Sequence, residues 1–453
     1  MIPELHKYQK ESLEFIWNNK SAGIFADPGL GKTAIVLHLI DRMFWQSKKD
    51  LSVLLIAPLR VCYFVWPQEL KKWGLDYLTH SILHGKNRAN KNKVNIEIVN
   101  VENIFWKFDR LKEYDLLVID ESSKFKNYAS KRFKILRKNL DKFDRRVILT
   151  GTPSPNSLMD LYSQIYIIDK GRTLGKNITA YRKEYFYPTN YRNFIEWNLK
   201  PGSAEQILEK IKPLIYRIDA KDHLDLPDLI YNNVKFDLPK SVLKTYKDFE
   251  SNLFAEIEGK GQLLSSAASA YLTCRQIANG SMYSIGSKEV ILLHDKKIKA
   301  LLEVIAELQG KPVLVAYHFK HDLIALKKAL GEKTPVLGSP TKEKESGRII
   351  ADWNNKKIPI LLAHPQSIAH GLNLQHGGHD IIWFALTDNL ENYIQFNDRV
   401  YRQGVSGQVR IHHLIANSTV DLAILRRLQN KDRSQQGLLD ALKSYLKGEK
   451  ENG

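Results

Sequence analysis

The sequence predicts an α/β protein made of two tandem doubly wound domains. Short runs of apolar and β-branched residues alternate with longer segments of helical periodicity, and this order occurs twice along the 453 residues. The short runs are continuously apolar, which is typical of parallel strands buried on both faces. Strands that alternate with helices in this way form parallel sheets covered by helices. A chain of this length also exceeds one ordinary core, so more than one domain is expected.

The first domain is predicted over residues 1–229. Its expected strands lie at residues 23–26, 53–57, 96–99, 116–120 and 147–150, and its expected helices include residues 33–44 and 68–73. The stretch from about residue 169 to 225 is rich in Tyr, Lys and Glu and has few strand signals. We therefore expect this stretch to form a mainly helical insertion.

The second domain is predicted over residues 230–453, with the boundary near Leu229. Its expected strands lie at residues 313–317, 358–363, 381–385 and 409–415, and its expected helices at residues 322–330, 390–402 and 420–430. A second, mainly helical insertion is expected over about residues 240–297. The breakers Pro201-Gly202 and Leu226-Pro227 interrupt the region between the two strand-rich halves.

The composition favours a polyanionic partner. The chain has 68 Lys and Arg against 50 Asp and Glu, a formal net charge of +18, and nucleic acid is the simplest partner for such a balance. Cys62 and Cys274 are far apart and show no CxxC spacing, which argues against a disulfide framework or a zinc knuckle. No segment resembles a signal peptide or a membrane span. We expect a cytoplasmic protein of a bacterium or a phage-infected host, monomeric or weakly oligomeric, without membrane contact.

Residues 26–33, Ala-Asp-Pro-Gly-Leu-Gly-Lys-Thr, form a candidate phosphate-binding loop between a strand and a helix. Glycines allow the backbone to approach phosphate oxygens, Lys32 reaches the β- and γ-phosphates, and the Thr33 hydroxyl binds Mg²⁺. The helix N-terminus adds attraction for anions. The predicted nucleotide-binding residues of the loop are Asp27, Pro28, Gly29, Leu30, Gly31, Lys32 and Thr33. The second domain has no such loop of its own.

Two further strand ends in the first domain carry candidate chemistry. The strand at residues 116–120 ends in Asp120 and Glu121, which fit a Mg²⁺ ligand and a group that orients the attacking water. Taken alone, the pair also fits an ordinary acidic strand end. The next strand ends in residues 150–153, Thr-Gly-Thr-Pro, which fit a sensor of the γ-phosphate, a nucleic-acid contact or a simple turn.

Polar residues outside these strand ends complete the candidate set. Gln9 follows Tyr8, and a Gln amide can pair with both donor and acceptor edges of adenine. Arg399 and Arg402 are three residues apart in a segment of helical pattern, so we expect them to share a helix face. Gln395 lies one turn earlier on roughly that side. Guanidinium groups stabilise charge on a transferring phosphoryl group, although arginines on a helix are more often simply solvated.

Taken in order, these segments resemble superfamily-two helicases and, within them, the Swi/Snf-like branch. The resemblance covers most of the chain, and no single motif decides it. The matching segments are residues 5–9, the phosphate loop at 26–33, residues 57–59 with Trp66, Glu69, Leu70 and Trp73, Asp120-Glu121 with Lys126-Asn127, residues 150–153 with Asn156, Leu226-Pro227, residues 272–277, residues 370–374, and Gln395 with Arg399, Arg402, Gln403 and Gly404.

The resemblance implies two RecA-like lobes that use ATP and Mg²⁺ at their interface, with DNA as partner. By this resemblance Lys32, Asp120, Glu121, Arg399 and Arg402 are catalytic, and Thr33 and Asp120 hold Mg²⁺. Tyr8, Gln9, Gly371, Asn373 and Gln395 add to the nucleotide-binding residues. The nucleic-acid-binding residues would be Pro58, Arg60, Thr152, His318, Lys320, Gln366 and Ser367.

The implied function is an ATP-dependent DNA translocase or helicase that unwinds or branch-migrates forked or branched DNA in replication, recombination or repair, with proteins of those processes as further partners. Three departures stand out. Ser122-Ser123 replaces the Ala-His usual in relatives, Tyr401 stands where His is common, and Ala26 begins the loop. The sequence leaves three alternatives open: an ATP-gated switch that binds nucleic acid without translocating, an RNA helicase, and the motor subunit of a defence complex.

Overall fold

The computed structural model describes residues 3–47, 51–84, 94–108, 111–191, 194–257, 264–284, 289–338, 341, 343–368 and 372–432. The chain divides into two compact units. The first comprises residues up to Thr189, Ile195–Asp225 and the stretch from Lys431, and the second comprises Asn190–Phe194 and Leu226–Asn430. The main division, between Asp225 and Leu226, lies close to the predicted boundary near Leu229. No helix in the described ranges has the length and apolar character that crossing a membrane requires.

The first unit contains a seven-stranded sheet in the order β3-β4-β2-β5-β6-β1-β9, in which every neighbouring pair is parallel. Each strand predicted for this domain is present. The strands are β1 Ser21–Ala26, β2 Val53–Ala57, β3 His80–Leu83, β4 Ile96–Asn100, β5 Tyr114–Asp120, β6 Phe143–Thr150 and β9 Ile215–Ile218; β7 Phe186–Tyr191 and β8 Phe194–Leu199 form a separate two-stranded sheet.

Helices flank this sheet and bury its apolar residues. Aliphatic side chains of the central strands pack with aromatic residues such as Phe25, Phe125 and Tyr162 in one large core. The helices are α1 Lys7–Asn18, α2 Lys32–Gln46, α3 Leu59–Phe64, α4 Trp66–Lys72, α5 Ile104–Phe108, α6 Lys131–Lys138, α7 Leu161–Asp169, α8 Ile178–Tyr185, α9 Ser203–Ile211 and α10 Ala220–His223.

The predicted insertion at residues 169–225 is not purely helical. It includes the β7–β8 pair and also β9, which extends the main sheet by pairing in parallel with β1. In β9, Tyr216 and Arg217 interrupt the apolar run between Ile215 and Ile218, so the strand gives only a weak sequence signal. The main sheet is therefore wider at its β1 edge than the sequence predicted.

The second unit contains a six-stranded sheet in the order β10-β17-β16-β13-β15-β14, again with all neighbouring pairs parallel. Each strand predicted for this domain is present, and β10 and β14 were not predicted. β10 is an edge strand with mostly exposed side chains, so it lacks the continuous apolar run of a buried strand. The strands are β10 Leu229–Phe236, β13 Val313–Ala316, β14 Val336–Leu337, β15 Ile360–Ala363, β16 Asp380–Trp383 and β17 Val409–Ala416; β11 Ser281–Tyr283 and β12 Val290–Leu292 pair separately and antiparallel.

The helices of the second unit are α11 Lys240–Ile257, α12 Leu264–Asn279, α13 Lys296–Glu307, α14 Lys320–Leu330, α15 Glu343–Asn354, α16 Pro365–Ile368 and α17 Leu390–Asn397, followed by a helix over residues 420–432. The insertion at residues 240–297, expected to be mainly helical, contains two long helices, α11 and α12. One prediction is wrong: the helix expected over residues 390–402 ends at Asn397, and Arg399 and Arg402 lie in the turns that follow it.

Parallel pairing brings the candidate chemistry of the first unit to one edge of its sheet. β1, β5 and β6 all end at this edge, where the carboxyl ends of parallel strands carry ligand-binding loops. The register pairs Phe25 with Thr150 and Asp120 with Leu149. The loop after β1, the Asp-Glu pair after β5 and the turn after β6 are therefore neighbours in space.

Candidate active site

The loop after β1 has the backbone conformation that its glycines permit. Gly29 and Gly31 have φ angles of 86° and 74°, in the left-handed region that favours glycine. A Cβ atom on Gly31 would lie 2.2 Å from Gln9 Nε2. The conformation thus favours glycine at position 31, and a side chain there would displace the Gln9 amide of α1. α2 begins directly after it, so its free N–H groups point toward the loop.

Lys32 brings the loop into the electrostatic field of the acidic pair. Its ammonium Nζ donates to Ala26 O at 2.7 Å and to Asp27 O at 3.3 Å. Burial lowers the pKa of Lys32, and the neighbouring carboxylates of Glu121 and Asp120 oppose that shift by favouring the charged form. One cation and two carboxylates therefore share this site.

Asp120 ends β5 in a buried position. The indole Nε1 of Trp66 donates to Asp120 Oδ2 at 3.1 Å. Burial raises the pKa of Asp120, while the charge of Lys32 and the Trp66 hydrogen bond act in the opposite direction. The Trp66 contact also gives a role to a residue that the sequence marked only as part of a motif, because it fixes the orientation of the carboxylate.

Glu121 has a φ angle of 62°, a left-handed conformation that is uncommon for a residue with a side chain. Such a conformation costs free energy and persists only where surrounding contacts hold it. The strain occurs at the one residue that the sequence predicts will orient the attacking water. The residues after it, Ser122–Phe125, form a short 3-10 helix with Glu121 at its N-cap.

The turn after β6 packs directly on the phosphate loop. A Cβ atom on Gly151 would lie 3.3 Å from Ala26 O and 3.4 Å from Pro28 Cδ. The Thr152 N–H donates to Thr150 Oγ1 at 3.0 Å, which tightens the turn. The Thr152 hydroxyl is buried, and it has no hydrogen-bond partner within the described ranges.

Arg217, which the sequence did not single out, braces the loop from β9. Its Nη2 lies 2.6 Å from Asp27 Oδ1, and the Ala220 N–H donates to Asp27 Oδ2 at 2.9 Å. The Asp27 N–H donates to Ile218 O at 3.2 Å. One carboxylate oxygen of Asp27 thus contacts the edge strand β9, and the other contacts the start of α10. A charged residue inside a short, mostly apolar run, Ile215-Tyr216-Arg217-Ile218, was the sequence signal for this contact.

Gln9 and Tyr8 lie on α1, against the other side of the loop. The Gln9 Nε2 donates to Leu30 O at 3.1 Å, and Gln9 Oε1 accepts from the His6 N–H at 2.8 Å. The Tyr8 ring stacks on His223, with 4.3 Å between the ring centroids. Gln9 is therefore held at the phosphate loop.

The residues of this site fit a magnesium nucleotide. The glycine conformations and the N-terminus of α2 suit phosphate, and Lys32 supplies a positive charge. Thr33 and Asp120 offer a hydroxyl and a carboxylate, and Mg²⁺ commonly takes one or two such ligands and completes its shell with water and substrate phosphates. No group of three or more metal-ligating side chains occurs in the part of the chain that the structure describes.

In the second unit, the two candidate arginines differ in accessibility. Arg399 is buried, and its guanidinium donates from Nε to Gln395 O at 2.9 Å and from Nη1 to Leu372 O at 3.0 Å. Arg402 is half-buried and its Nη1 donates to the Asn373 side chain. The two side chains therefore do not present one common face. Arg399 holds its own unit together, whereas Arg402 is the more accessible cation.

The remaining nucleotide-binding candidates of this unit lie close to those arginines. Asn373 is exposed and contacts Arg402, and Gln395 is buried, with its Nε2 donating to Glu391 Oε1 at 3.4 Å. Gly371 lies outside the described residues. The structure thus brings Asn373, Gln395 and both arginines together around the end of α17.

The nucleic-acid candidates lie at the carboxyl ends of strands in both units. Pro58 and Arg60 follow β2, and Thr152 follows β6. In the second unit, the segment after β13 and the helix α16 after β15 are adjacent, because Ala316 pairs with Ala363. That edge carries an exposed Lys320 and Gln366, a half-buried Ser367, and His318, whose pKa burial and the charge of Arg275 lower to about 4.

Comparison with known proteins places this geometry in a family. A model of the SNF2-related domain matches residues 8–282, more than half of the chain. The chain belongs to the SNF2-related family. A model of the helicase conserved C-terminal domain matches residues 296–404. The predicted membership in the Swi/Snf-like branch of superfamily-two helicases, in its compact phage or bacterial form, is confirmed, and so is the α/β fold of two tandem RecA-like lobes.

Relatives of this SNF2-related chain come from a phage and from cellular organisms. It is 34% identical to protein p41 of Acyrthosiphon pisum secondary endosymbiont phage 1, over 96% of this chain and 98% of p41. It is 23% identical to YwqA of Bacillus subtilis, named as an ATP-dependent helicase/translocase, over 94% of this chain and 48% of YwqA. The solved structure of the Sulfolobus solfataricus SWI2/SNF2 ATPase core in complex with dsDNA aligns with a TM-score of 0.45 and 24% identity, covering 97% of this chain and 95% of that one.

The chain thus spans nearly all of p41 but about half the length of YwqA. The SNF2-related and helicase C-terminal matches together identify an ATP-hydrolysing enzyme of the helicase class.

Proposed function

We propose that this SNF2-related enzyme is a DNA translocase and helicase that couples hydrolysis of Mg²⁺-bound ATP to movement on DNA. The observation that carries the proposal is the convergence of three strand ends on one site. Lys32, the Asp120-Glu121 pair and the turn at Thr152 all lie at the carboxyl edge of one parallel sheet. A group that handles phosphate, a group that handles water and a candidate nucleic-acid contact are therefore in one structural neighbourhood.

Phosphoryl transfer needs positioning and charge neutralisation more than covalent chemistry. In the proposed reaction the N-terminus of α2 and the Lys32 ammonium hold the phosphates. Glu121 orients a water molecule and receives its proton. Thr33 and Asp120 would hold Mg²⁺, which when bound neutralises charge on the phosphate oxygens. Gln9, fixed against the loop by its hydrogen bonds to Leu30 and His6, is proposed to contact the adenine.

Arg402 is the better candidate for the cation that stabilises the transferring phosphoryl group. The sequence motif offers two arginines for this role. The Arg399 guanidinium is buried and already donates to the carbonyls of Gln395 and Leu372. We propose that Arg399 acts as a support for the segment that carries Asn373, and that Arg402 acts on the nucleotide. Asn373 contacts Arg402, and Gln395 contacts Arg399 and Glu391 on α17.

DNA is the proposed polymer, and its phosphates are the proposed main contacts. A net charge of +18 supports a polyanionic partner, and phosphate contacts position a protein without reading sequence. In the second unit, the carboxyl ends of β13 and β15 are followed by Lys320, Gln366 and Ser367. In the first unit, β2 and β6 are followed by Arg60 and Thr152. Little sequence specificity is expected. Forked or branched DNA is the proposed preferred substrate, in replication, recombination or repair.

A substrate panel tests this proposal. ATP hydrolysis and strand separation are measured on duplex, forked and four-way DNA and on duplex RNA of matched sequence, with Lys32→Ala as the control. We expect DNA to stimulate hydrolysis, forked or four-way DNA to be separated fastest, and Lys32→Ala to lose both activities. Full activity in Lys32→Ala would refute the assigned site.

A triplex-displacement measurement separates a translocase from an ATP-gated switch. A protein that moves along duplex DNA displaces a third strand in an ATP-dependent manner, whereas a switch that only changes its binding does not. We expect displacement. Stimulation of hydrolysis by DNA without displacement would support the switch, and preferential stimulation by RNA would support an RNA helicase.

A further inference from the structure

A buried amide connects two of the catalytic turns in the first unit. Gln164 lies on α7, where most neighbouring side chains are apolar and buried, and its own side chain is fully buried. Burying an amide in such surroundings costs free energy unless its hydrogen-bonding groups are satisfied. The partners of Gln164 are therefore part of the reason that this residue can occupy its position.

The donors and the acceptor of the Gln164 amide are all used. Its Oε1 accepts from the Ser122 hydroxyl at 2.7 Å, and its Nε2 donates to Pro153 O at 2.6 Å and to Asp160 O at 2.9 Å. An amide has two N–H donors, so this set is complete on the donor side. Ser122 directly follows Glu121, and Pro153 directly follows Thr152. One side chain thus bridges the turn after β5 and the turn after β6.

The bridge lies where the sheet no longer fixes the chain. The β5–β6 ladder pairs Asp120 with Leu149, but the turns beyond it have left the sheet. Glu121 has a left-handed backbone, which requires support from its surroundings. The Gln164 amide holds the Ser122 hydroxyl, next to Glu121. The same amide is hydrogen-bonded to the Pro153 carbonyl in the neighbouring turn.

We propose that Gln164 is a positioning residue that couples the Glu121 turn to the Thr152 turn, so that ATP hydrolysis responds to bound DNA. The proposal deepens the proposed function and rests on it, because Glu121 and Thr152 have their assigned roles only there. It also gives Ser122, one of the departures from the usual pattern of relatives, a defined contact. Gln164 touches neither nucleotide nor DNA in this scheme and acts through the two turns.

The first test replaces Gln164 with Met, which keeps the length of the side chain and removes its hydrogen bonds. ATP hydrolysis is measured with and without forked DNA. We expect the DNA-stimulated kcat to fall about tenfold, as the loss of one to two net hydrogen bonds would produce, while KM for ATP changes by less than about twofold. Ser163→Ala is the matched control, since Ser163 is a buried neighbour on the same helix and its hydroxyl lacks a hydrogen-bond partner in the described part of the chain. That variant should behave as the wild type.

A double variant separates coupling from simple stabilisation. In Gln164→Met the buried Ser122 hydroxyl loses its partner, so adding Ser122→Ala should raise the unfolding temperature again. If Gln164 couples the turns, the DNA-stimulated kcat stays low although the stability recovers. If Gln164 only stabilises the fold, kcat recovers together with the unfolding temperature, and the proposal is wrong.

Gln164→Glu adds a pH readout. An ionised Glu still accepts from Ser122 but cannot donate to Pro153 O, whereas a protonated Glu can. Because burial raises the pKa of a carboxyl group, DNA stimulation in this variant should increase as the pH is lowered from about 8 to about 6, and the ratio to the wild type should rise with it. A pH-independent ratio would contradict the bridge to Pro153.

The outcomes distinguish this inference from the proposed function. If DNA stimulates ATP hydrolysis equally in the wild type and in Gln164→Met, the coupling role alone is wrong. A wild type whose Lys32-dependent hydrolysis ignores DNA overturns the proposed function and the coupling role together.

Discussion

At the scale of single residues, the structure separates side chains that the sequence treated as equals. Arg399 and Arg402 belong to one motif. Arg399 is buried and donates to two backbone carbonyls, whereas Arg402 contacts the exposed Asn373. The difference follows from the end of α17 at Asn397, which places the two arginines in successive turns instead of on one helix face. Their substitution should therefore have different consequences.

Arg402→Ala should lower kcat for ATP hydrolysis by about 10³ or more, because it removes the cation that we propose stabilises the transferring phosphoryl group. Its unfolding temperature should stay within about 2 °C of the wild type, since the side chain is half-buried and outside the core. Steady-state kinetics and thermal unfolding check both expectations. Arg402→Lys, which keeps the charge and loses the planar fork, should retain part of the rate.

Arg399→Ala should instead destabilise the second unit. It leaves the Gln395 and Leu372 carbonyls without their donor, at a cost of about 1–3 kcal/mol. For a unit of this size, that cost corresponds to a fall in unfolding temperature of about 2–4 °C per kcal/mol. An Arg399→Ala protein with wild-type stability and a lost kcat would show that the buried arginine acts on the nucleotide after all.

At the scale of secondary-structure elements, an unpredicted strand supports the predicted loop. β9 pairs with β1 and carries Arg217, whose ion pair with Asp27 holds the phosphate loop at the sheet edge. The side chain of Arg217 is 1% exposed and that of Asp27 is 22% exposed, so the pair is shielded but not fully desolvated. The local sequence predicts the phosphate loop. Its position at the sheet edge depends on β9, which lies almost two hundred residues later in the chain.

Arg217→Leu should cost about 2 kcal/mol of stability and raise KM for ATP several-fold. Breaking a fully buried pair typically costs about 3–5 kcal/mol, and the partial exposure of Asp27 reduces that penalty. Lys20→Ala is a suitable control, because Lys20 pairs with Asp144 at 2.5 Å on the surface, with 66% and 61% of the two side chains exposed. Chemical unfolding and ATPase kinetics should show little change in that control. Equal effects of the two substitutions would mean that Arg217 does not brace the loop.

At the scale of the whole molecule, buried histidines and the net charge determine how the protein responds to its solvent. His413 is buried in the second sheet, between the Tyr393 hydroxyl and the Asn233 side chain. Burial and the neighbouring His412 lower the pKa of His413 to about 4, against an ordinary value of 6.5. The half-buried His318 has a pKa lowered to a similar value.

These shifts predict a loss of stability in acid. The unfolded chain takes up a proton on His413 below about pH 6.5, while the folded chain stays neutral there until about pH 4. Stability is therefore fully present above pH 6.5 and falls between these limits, by at most about 1.4 kcal/mol per pH unit for this residue. Urea unfolding of the wild type and of His413→Gln at pH 7.5 and 5.0 tests the expectation. The variant should be less stable at pH 7.5 and lose less on acidification, and parallel curves would contradict the assignment.

The charge of +18 predicts that DNA affinity weakens steeply with salt. The logarithm of the binding constant should fall linearly with the logarithm of salt concentration, with a slope of about −0.7 to −0.9 per neutralised phosphate. Fluorescence anisotropy with labelled forked DNA measures this slope. The salt concentration is varied from about 50 to about 300 mM, a range that brackets physiological ionic strength. Lys320→Ala should make the slope shallower by the amount that one neutralised phosphate contributes. A flat salt dependence would refute phosphate binding as the main contact.

The sequence by itself determined the fold class and marked the candidate residues of the site. Continuous apolar runs predicted the central strands, because strands buried on both faces have no polar positions to interrupt them. Gly31, Lys32, Asp120 and Glu121 were recognisable because phosphate binding and water activation depend on residue types at short spacing.

Only the tertiary structure decided which distant residues support that chemistry. The edge strands β9 and β10 are too polar to stand out in the sequence, and the pairing of β9 with β1 joins residues far apart in the chain. The contacts of Arg217 with Asp27 and of Gln164 with Ser122 likewise depend on how elements pack. Long-range contacts of this kind leave no periodic signal, because each side chain is selected by a neighbour that the local sequence does not contain.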